Sequence, residues 1–328
     1  MTAEPVIEVR DLRKWYPLRS GFLASLLGRQ QGQLKAVDGV SFALRPGEVL
    51  GLAGESGCGK STTGMTVLQL HRPTGGEILF QGHDVATRGD ARSMKAFRRQ
   101  AQIVFQNPYE SLNPRFTVAQ SVREPIAIHF REEAGARRDR LLLAMERAGL
   151  MPVENYLDRY PHQLSGGQLQ RIAIARAISV EPRFLVADEP VSMLDVSIRA
   201  GILNLLRRFA GTLDMAILYI SHDLSTMRHV CSQVAIMYLG RIVEIGPAAS
   251  VLRDPQHPYA QALMAAVPVM GVRRRKRIQL SGAVPNAADV PRGCRFHPRC
   301  PQAMASCREV EPQLKDLGQG RRVACHLH

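Results

Sequence analysis

Short apolar runs separated by glycine, proline and polar residues recur along this chain, the pattern of strands buried on both faces. The clearest are Glu48-Val49-Leu50-Gly51-Leu52-Ala53, Arg183-Phe184-Leu185-Val186-Ala187-Asp188, Met215-Ala216-Ile217-Leu218-Tyr219-Ile220 and Val234-Ala235-Ile236-Met237-Tyr238. Alternation at Val6-Ile7-Glu8-Val9 predicts an opening strand, and further strands are expected at 35–44, 76–80 and 101–105. Helical periodicity covers 62–70, stopped by Pro73 and the Gly75-Gly76 turn, and a basic stretch at 90–100. From about 117 to 150 the pattern is helical again, with Leu141, Leu142, Met145 and Leu150 on one apolar face. Strands alternating with helices imply right-handed crossovers and a largely parallel sheet, with a helical block inserted in an otherwise α/β chain. The segment 17–33 reads as a loop carrying one short amphipathic turn, Phe22-Leu23-Ala24-Ser25-Leu26-Leu27.

One strand leads into chemistry. After Ala53 comes GESGCGKS, which fits the phosphate-binding pattern of Gly, four residues, Gly, Lys, then Ser or Thr. Gly54, Gly57 and Gly59 let the backbone turn tightly enough for amide N–H groups, those of Glu55, Ser56 and Cys58 among them, to surround a polyphosphate. The helix opening near Lys60 points its positive end at the same place, Lys60 supplies a cation for the β- and γ-phosphates, and Thr62 follows on its first turn. Ser61 offers a hydroxyl to Mg2+, a cation that takes oxygen ligands. The competing reading is a glycine-rich turn without a ligand. Upstream, Tyr16 is the aromatic chosen to stack on an adenine face, against the alternative of ordinary packing.

At 328 residues with 45% hydrophobic content, the chain exceeds what one core usually organises. No run approaches the roughly 18 apolar residues of a membrane span, and the N-terminal residues lack a signal-peptide pattern, so a cytoplasmic protein is expected. The net charge of +14 is unevenly spread: residues 271–328 hold 12 Lys/Arg against 4 Asp/Glu. The basic run 273–277 reads as a solvated linker, or as a contact for anionic lipid headgroups. Cysteine is uneven too, with Cys58 and Cys231 in the body and Cys294, Cys300, Cys307 and Cys325 crowded near the end; a reducing compartment argues against disulfides.

A second phosphate-seeking helix end lies at Leu164-Ser165-Gly166-Gly167-Gln168, where Ser165 is a natural N-cap and the glycines permit close approach. An ordinary capped helix is the plain alternative. LSGGQ together with the phosphate loop resembles the ATP-binding cassette (ABC) ATPases, in which two cassettes sandwich two ATPs, each loop facing the other cassette's signature. The resemblance implies that Ser165, Gly166, Gly167 and Gln168 act on the partner's nucleotide. It further implies that Asp188 joins Ser61 and Gln106 around Mg2+, that Glu189 polarises the attacking water, and that Gln106 links metal and water to the helical subdomain. Asp195 matches the loop crossing to the partner site, with Met193 where the family usually has alanine, and His222 matches the switch histidine at the γ-phosphate.

The Gln106-Asn107-Pro108 segment with Ser111-Leu112-Asn113-Pro114-Arg115, the lead-in Tyr160-Pro161-His162, and His257-Pro258-Tyr259 resemble the ATP-binding subunits of dipeptide and oligopeptide importers, the F-type most closely. This implies an ABC-type phosphate-loop NTPase core at 1–268, α/β in class, with an N-terminal antiparallel β subdomain and a helical subdomain inserted at about 107–178. A small metal-binding C-terminal extension follows at 269–328. Four thiolates in that extension suit a four-iron four-sulfur cluster, which the resemblance favours, or tetrahedral Zn2+ with His297, His326 and His328 nearby; unligated thiols are the bland reading. The implied partners are a second cassette, identical or a D-type sister, two permease subunits and, indirectly, an external peptide-binding protein. The expected location is the cytoplasmic face of the inner membrane, with no nucleic acid bound. The rival function is a soluble ABC-type ATPase acting on nucleic acid or ribosomes, which the positive charge permits but the single phosphate loop and absence of sustained heptads disfavour.

Overall fold

The computed structural model describes residues 4–18, 32–86, 90–266, 285 and 287–328. The amphipathic turn at 22–27, the basic run 273–277 and the expected boundary between 268 and 269 lie outside these residues. The chain forms two compact units: Met1–Ile7, Leu44–Val49 and Phe80–Ile220 in the first, Glu8–Ala43, Leu50–Leu79 and Ser221–His328 in the second.

In the first unit, Ala101–Val104, Phe184–Asp188 and Ala216–Ile220 pair in parallel, with Gln102 opposite Leu185 and Val186 opposite Leu218. Every residue of the latter two strands is buried, which is why both appear in the sequence as apolar runs rather than alternations, the first closed by Asp188. Each fully buried Leu or Ile side chain there contributes roughly 1.5–3 kcal/mol. The helical pattern over 117–150 resolves into Val118–His129 and Ala134–Arg147, which pack on each other and on Gly166–Ile178. Thr117 and Gln120 close a capping box that starts the first of them. Of the predicted apolar face, Leu141, Met145 and Leu150 are buried, while Leu142 is half-buried and Ala144 takes an inner position. Arg176 ties this block together, donating to the Ser111 carbonyl and to Glu124, each at 2.8 Å.

In the second unit, Ile7–Pro17 lies between Gln33–Leu44 and Gly75–Phe80 in an antiparallel N-terminal sheet. The opening strand runs well past the expected 6–9. Asp11 sits at φ +46°, which throws the alternation out of phase just where the sequence pattern fades. The helix Lys60–Val67 also stops short of residue 70: Gln69 turns left-handed at φ +57° and the Leu70 N–H closes back on the Met65 carbonyl. Val49–Ala53 pairs in parallel with Gln233–Tyr238, Leu52 opposite Ala235. The latter then turns through Leu239-Gly240 into an antiparallel strand, Arg241–Pro247, that is not among the expected strands, its apolar residues Ile242, Val243 and Ile245 being interrupted by Glu244. Arg322–Val323 adds to that strand, Val323 opposite Glu244.

The extension expected to bind metal buries Phe296, Val323 and Ala324 and anchors itself through arginines paired with buried acids. Glu244, fully buried, accepts from Arg321 Nε at 3.1 Å and from the backbone N–H groups of Gln256 and His257 at 3.1 and 2.8 Å. Removing one partner of such a pair strands a buried charge. Arg321→Ala is therefore expected to lower unfolding stability by ~3–5 kcal/mol in a denaturant titration. A loss below ~1 kcal/mol would mean that the two backbone donors satisfy Glu244 without its cation.

Candidate functional site

The phosphate loop belongs entirely to the second unit, between Val49–Ala53 and Lys60–Val67. Its glycines are dictated by neighbours as much as by the loop. A Cβ on Gly59, at φ +108°, would stand 2.1 Å from the Ala36 carbonyl oxygen, and one on Gly54 would stand 2.2 Å from that of Met237. Gly57, at φ +78°, faces open space, so its requirement is conformational only. Lys60 is buried, and its ammonium donates to the carbonyls of Gly54 and Glu55 at 2.8 and 2.9 Å, folded across its own loop. Cys58 packs beneath, its thiol pushed up by burial. Ser61 and Thr62 occupy the first helical turn, half-buried. Tyr16, half-buried at the end of its strand, meets His71 edge-on at 6.1 Å with the Lys14 ammonium 4.7 Å over its ring. Its neighbour Trp15 is tied to Asp38 by an indole hydrogen bond of 3.0 Å. His222 follows the Ala216–Ile220 strand and is exposed, also in the second unit.

The first unit gathers another set. Asp188, buried, ends its strand, and Glu189 follows at φ +45°. A glutamate held in the left-handed region is strained by roughly 1–3 kcal/mol, and such strain concentrates at working sites. Here it is fixed from both sides: the Glu189 N–H donates to Ile220 O at 2.9 Å, and the Ser192 N–H donates to Glu189 O at 3.2 Å. Gln106 Nε2 donates to Glu189 Oε2 at 3.1 Å across 83 residues of sequence. The structure thus brings together two residues that the sequence could relate only by resemblance. Ser165 caps Gly166–Ile178 in a capping box with Gln168, and is exposed. Gly167 has a local reason: a Cβ there would meet Ile198 Cγ2 at 2.7 Å, so the glycine admits the helix Val196–Leu213. Asp195 sits exposed at the N-cap of that helix, and Met193 beside it is 61% exposed.

The cysteine expectation finds no support. Cys307 and Cys325 are buried, Cys294 and Cys300 half-buried, and all four are free thiols. Cys294 is pushed up to about 11, by burial first and then by the neighbouring thiols. Among the described residues, however, no group of three or more His, Cys, Asp or Glu side chains is arranged to hold a metal ion, so neither the iron–sulfur cluster nor zinc gains support. Of the arginines near these cysteines in sequence, Arg295 pairs with Asp38 and Glu311 and Arg299 with Glu55, while Arg292 and Arg308 are exposed. Ser61, Gln106 and Asp188, expected around Mg2+, each carry an oxygen donor of the kind this cation takes, Ser61 in the second unit and the other two in the first.

Comparison with known proteins defines the class. Residues 37–192 match the family model "ABC transporter" and residues 243–307 match "Oligopeptide/dipeptide transporter, C-terminal region". The chain is 45% identical to the oligopeptide transport ATP-binding protein AppF of Bacillus subtilis, over 99% of this chain and 98% of that one. It is 46% identical to the dipeptide transport ATP-binding protein DppF of Escherichia coli, over 98% and 94%. A dimeric ATP-binding cassette in a post-hydrolysis state with ADP and Pi superposes with a TM-score of 0.64 at 26% identity, over 74% of this chain and 98% of that chain. The chain belongs to the ABC family of transport ATP-binding proteins. It carries the ABC ATPase cassette fold.

The two glycine contacts make a graded test. Gly59→Ala is expected to weaken ATP binding by more than ~10-fold, since the backbone must both leave its φ and retreat from Ala36. Gly57→Ala should cost less, and equal losses in a nucleotide titration would show that the close approach is irrelevant.

Proposed function

We propose that this chain is the ATP-hydrolysing subunit of an importer of dipeptides or oligopeptides. It works as one of two cassettes on two permease subunits, which an external peptide-binding protein supplies. The near-full-length similarity to oligopeptide and dipeptide transport ATP-binding proteins supports the substrate class, and it favours this reading over an ATPase acting on nucleic acid or ribosomes. Among the described residues no helix is long and apolar enough to cross a membrane, so attachment to the cytoplasmic face of the inner membrane would run through the permeases. We divide the chain into a cassette at 1–268, with the helices of about 107–178 as its inserted subdomain, and an extension at 269–328. Iron–sulfur or zinc ligation by Cys294, Cys300, Cys307 and Cys325 forms no part of this reading, for want of a ligand group.

The observation that carries hydrolysis is the Gln106–Glu189 hydrogen bond beside buried Asp188. Glu189 takes the proton of the attacking water, and Gln106, donating to one oxygen, fixes which carboxylate edge faces it. Lys60 exchanges two loop carbonyls for the substrate's phosphates, a swap of neutral for charged acceptors that favours the bound state. The loop amides of residues 54–62 cradle the phosphates, Tyr16 stacks on the base, and His222 contacts the γ-phosphate. Mg2+, held by Ser61, Asp188 and Gln106, would neutralise phosphate charge. Ser165, Gly166, Gly167, Gln168 and Asp195 serve the nucleotide of the second cassette, identical or a sister, and the exposed cap at Ser165 is consistent with that use.

Glu189→Gln is expected to retain ATP binding while cutting turnover ~100- to 10,000-fold, because an amide oxygen still accepts from Gln106 but does not take a proton from water. Wild-type hydrolysis by the purified transporter carrying this change would overturn the assignment. Ser165→Arg should leave ATP binding to the isolated chain within about 2-fold of wild type and abolish turnover of the assembled pair, since the added bulk and charge fall on the partner's nucleotide. Loss of binding to the isolated chain would contradict the two-cassette arrangement.

A further inference from the structure

Glu55 is an odd residue to find in a loop that receives a polyphosphate, because its carboxylate repels the ligand. The structure shows how that charge is met. Arg299, which belongs to the C-terminal extension 244 residues away, donates through Nη1 to Glu55 Oε2 at 2.8 Å and through Nη2 to Oε1 at 3.1 Å. Such a forked pair fixes direction as well as charge. The Arg299 side chain is only 7% exposed and Glu55 26%, so water screens the pair weakly. Glu55 is held a second time from outside the loop, its N–H donating to the Tyr259 hydroxyl at 2.9 Å.

The clamp has a firm seat. Arg299 ends the short turn His297–Arg299, and Phe296 just before it packs against Tyr238, Tyr259 and His257 with ring centroids 5.3, 5.4 and 5.7 Å apart. Buried Arg295 binds Asp38 and the Leu239 carbonyl, one strand turn away. His257 is neutral, burial having lowered it to about 3, and its Nδ1 accepts the Tyr259 N–H that opens the helix Pro258–Ala266. Every one of these residues lies in the same compact unit as the loop.

We propose that Arg299 is a positioning residue for nucleotide binding: it neutralises Glu55 and draws its side chain away from the phosphates, so that the C-terminal extension sets the affinity of the phosphate loop. The inference rests on the reading of the loop as an ATP site. Because Arg299 acts through Glu55 and touches no reacting atom, its removal lowers affinity and spares the chemical step.

The test is a double-mutant cycle on the full chain, reading ATP Kd by calorimetry and kcat in the assembled transporter at saturating ATP. Arg299→Ala should raise Kd by about 10-fold or more and leave kcat within about 2-fold, with Arg299→Lys between the two. On a Glu55→Gln background, where the repelling charge is gone, Arg299→Ala should change Kd by less than about 3-fold. Arg308→Ala, an exposed arginine of the same extension, should match wild type, and circular dichroism reports folding throughout. If Arg299→Ala unfolds, Arg299→Gln replaces it under the same criteria. An unchanged Kd for the folded variant, or an undiminished effect on the Glu55→Gln background, overturns the proposal. Wild-type chain that binds no ATP, or Lys60→Ala that binds it normally, overturns instead the reading of the loop.

Discussion

The phosphate loop is a constraint on its surroundings before it is a binding site. Backbone carbonyls of Ala36 and Met237 press so close on Gly59 and Gly54 that no side chain fits at either position. The loop is therefore cast against two neighbouring strands rather than draped over them. That closeness explains why a glycine-rich segment, which would lose much conformational freedom on ordering, holds one shape. It also explains why Val49–Ala53 must be fully buried: a strand free to shift would move the mould.

Legibility in the sequence followed the physics of each element. Phe184–Asp188 and Ala216–Ile220, buried on both faces, stood out as apolar runs, and the Ser165 cap with Gln168 three residues on marked its helix to within a residue. Glu189 and Gln106 were found by resemblance, since nothing local in either residue announces a hydrogen bond across the intervening helices. Arg241–Pro247 escaped because its inner faces include Glu244, a buried carboxylate that spoils the apolar signal until Arg321 is brought to it from far along the chain. The same long-range pairing hid how the extension is ordered.

Charge in the extension gained a different meaning once its partners were known. A basic tail suggests polyanions, yet Arg295, Arg299 and Arg321 each neutralise an acid of the cassette: Asp38, Glu55 and Glu244. Two of those acids are almost wholly withdrawn from water. Part of the excess that composition reports as surface potential is thus internal wiring, which ionic strength screens little.

The strand Arg322–Val323 has one more consequence. Without it, Arg241–Pro247 would present a free row of N–H and C=O groups, a template on which another chain could build a sheet. The extension pairs with Glu244 and Ile245 in the middle of that edge and places outside them Lys315–Asp316, two exposed charged residues too short to recruit a strand. In folding terms the last residues of the chain act as a stopper against self-association, a duty unrelated to nucleotide and one that would hold even if every residue of the phosphate loop were replaced.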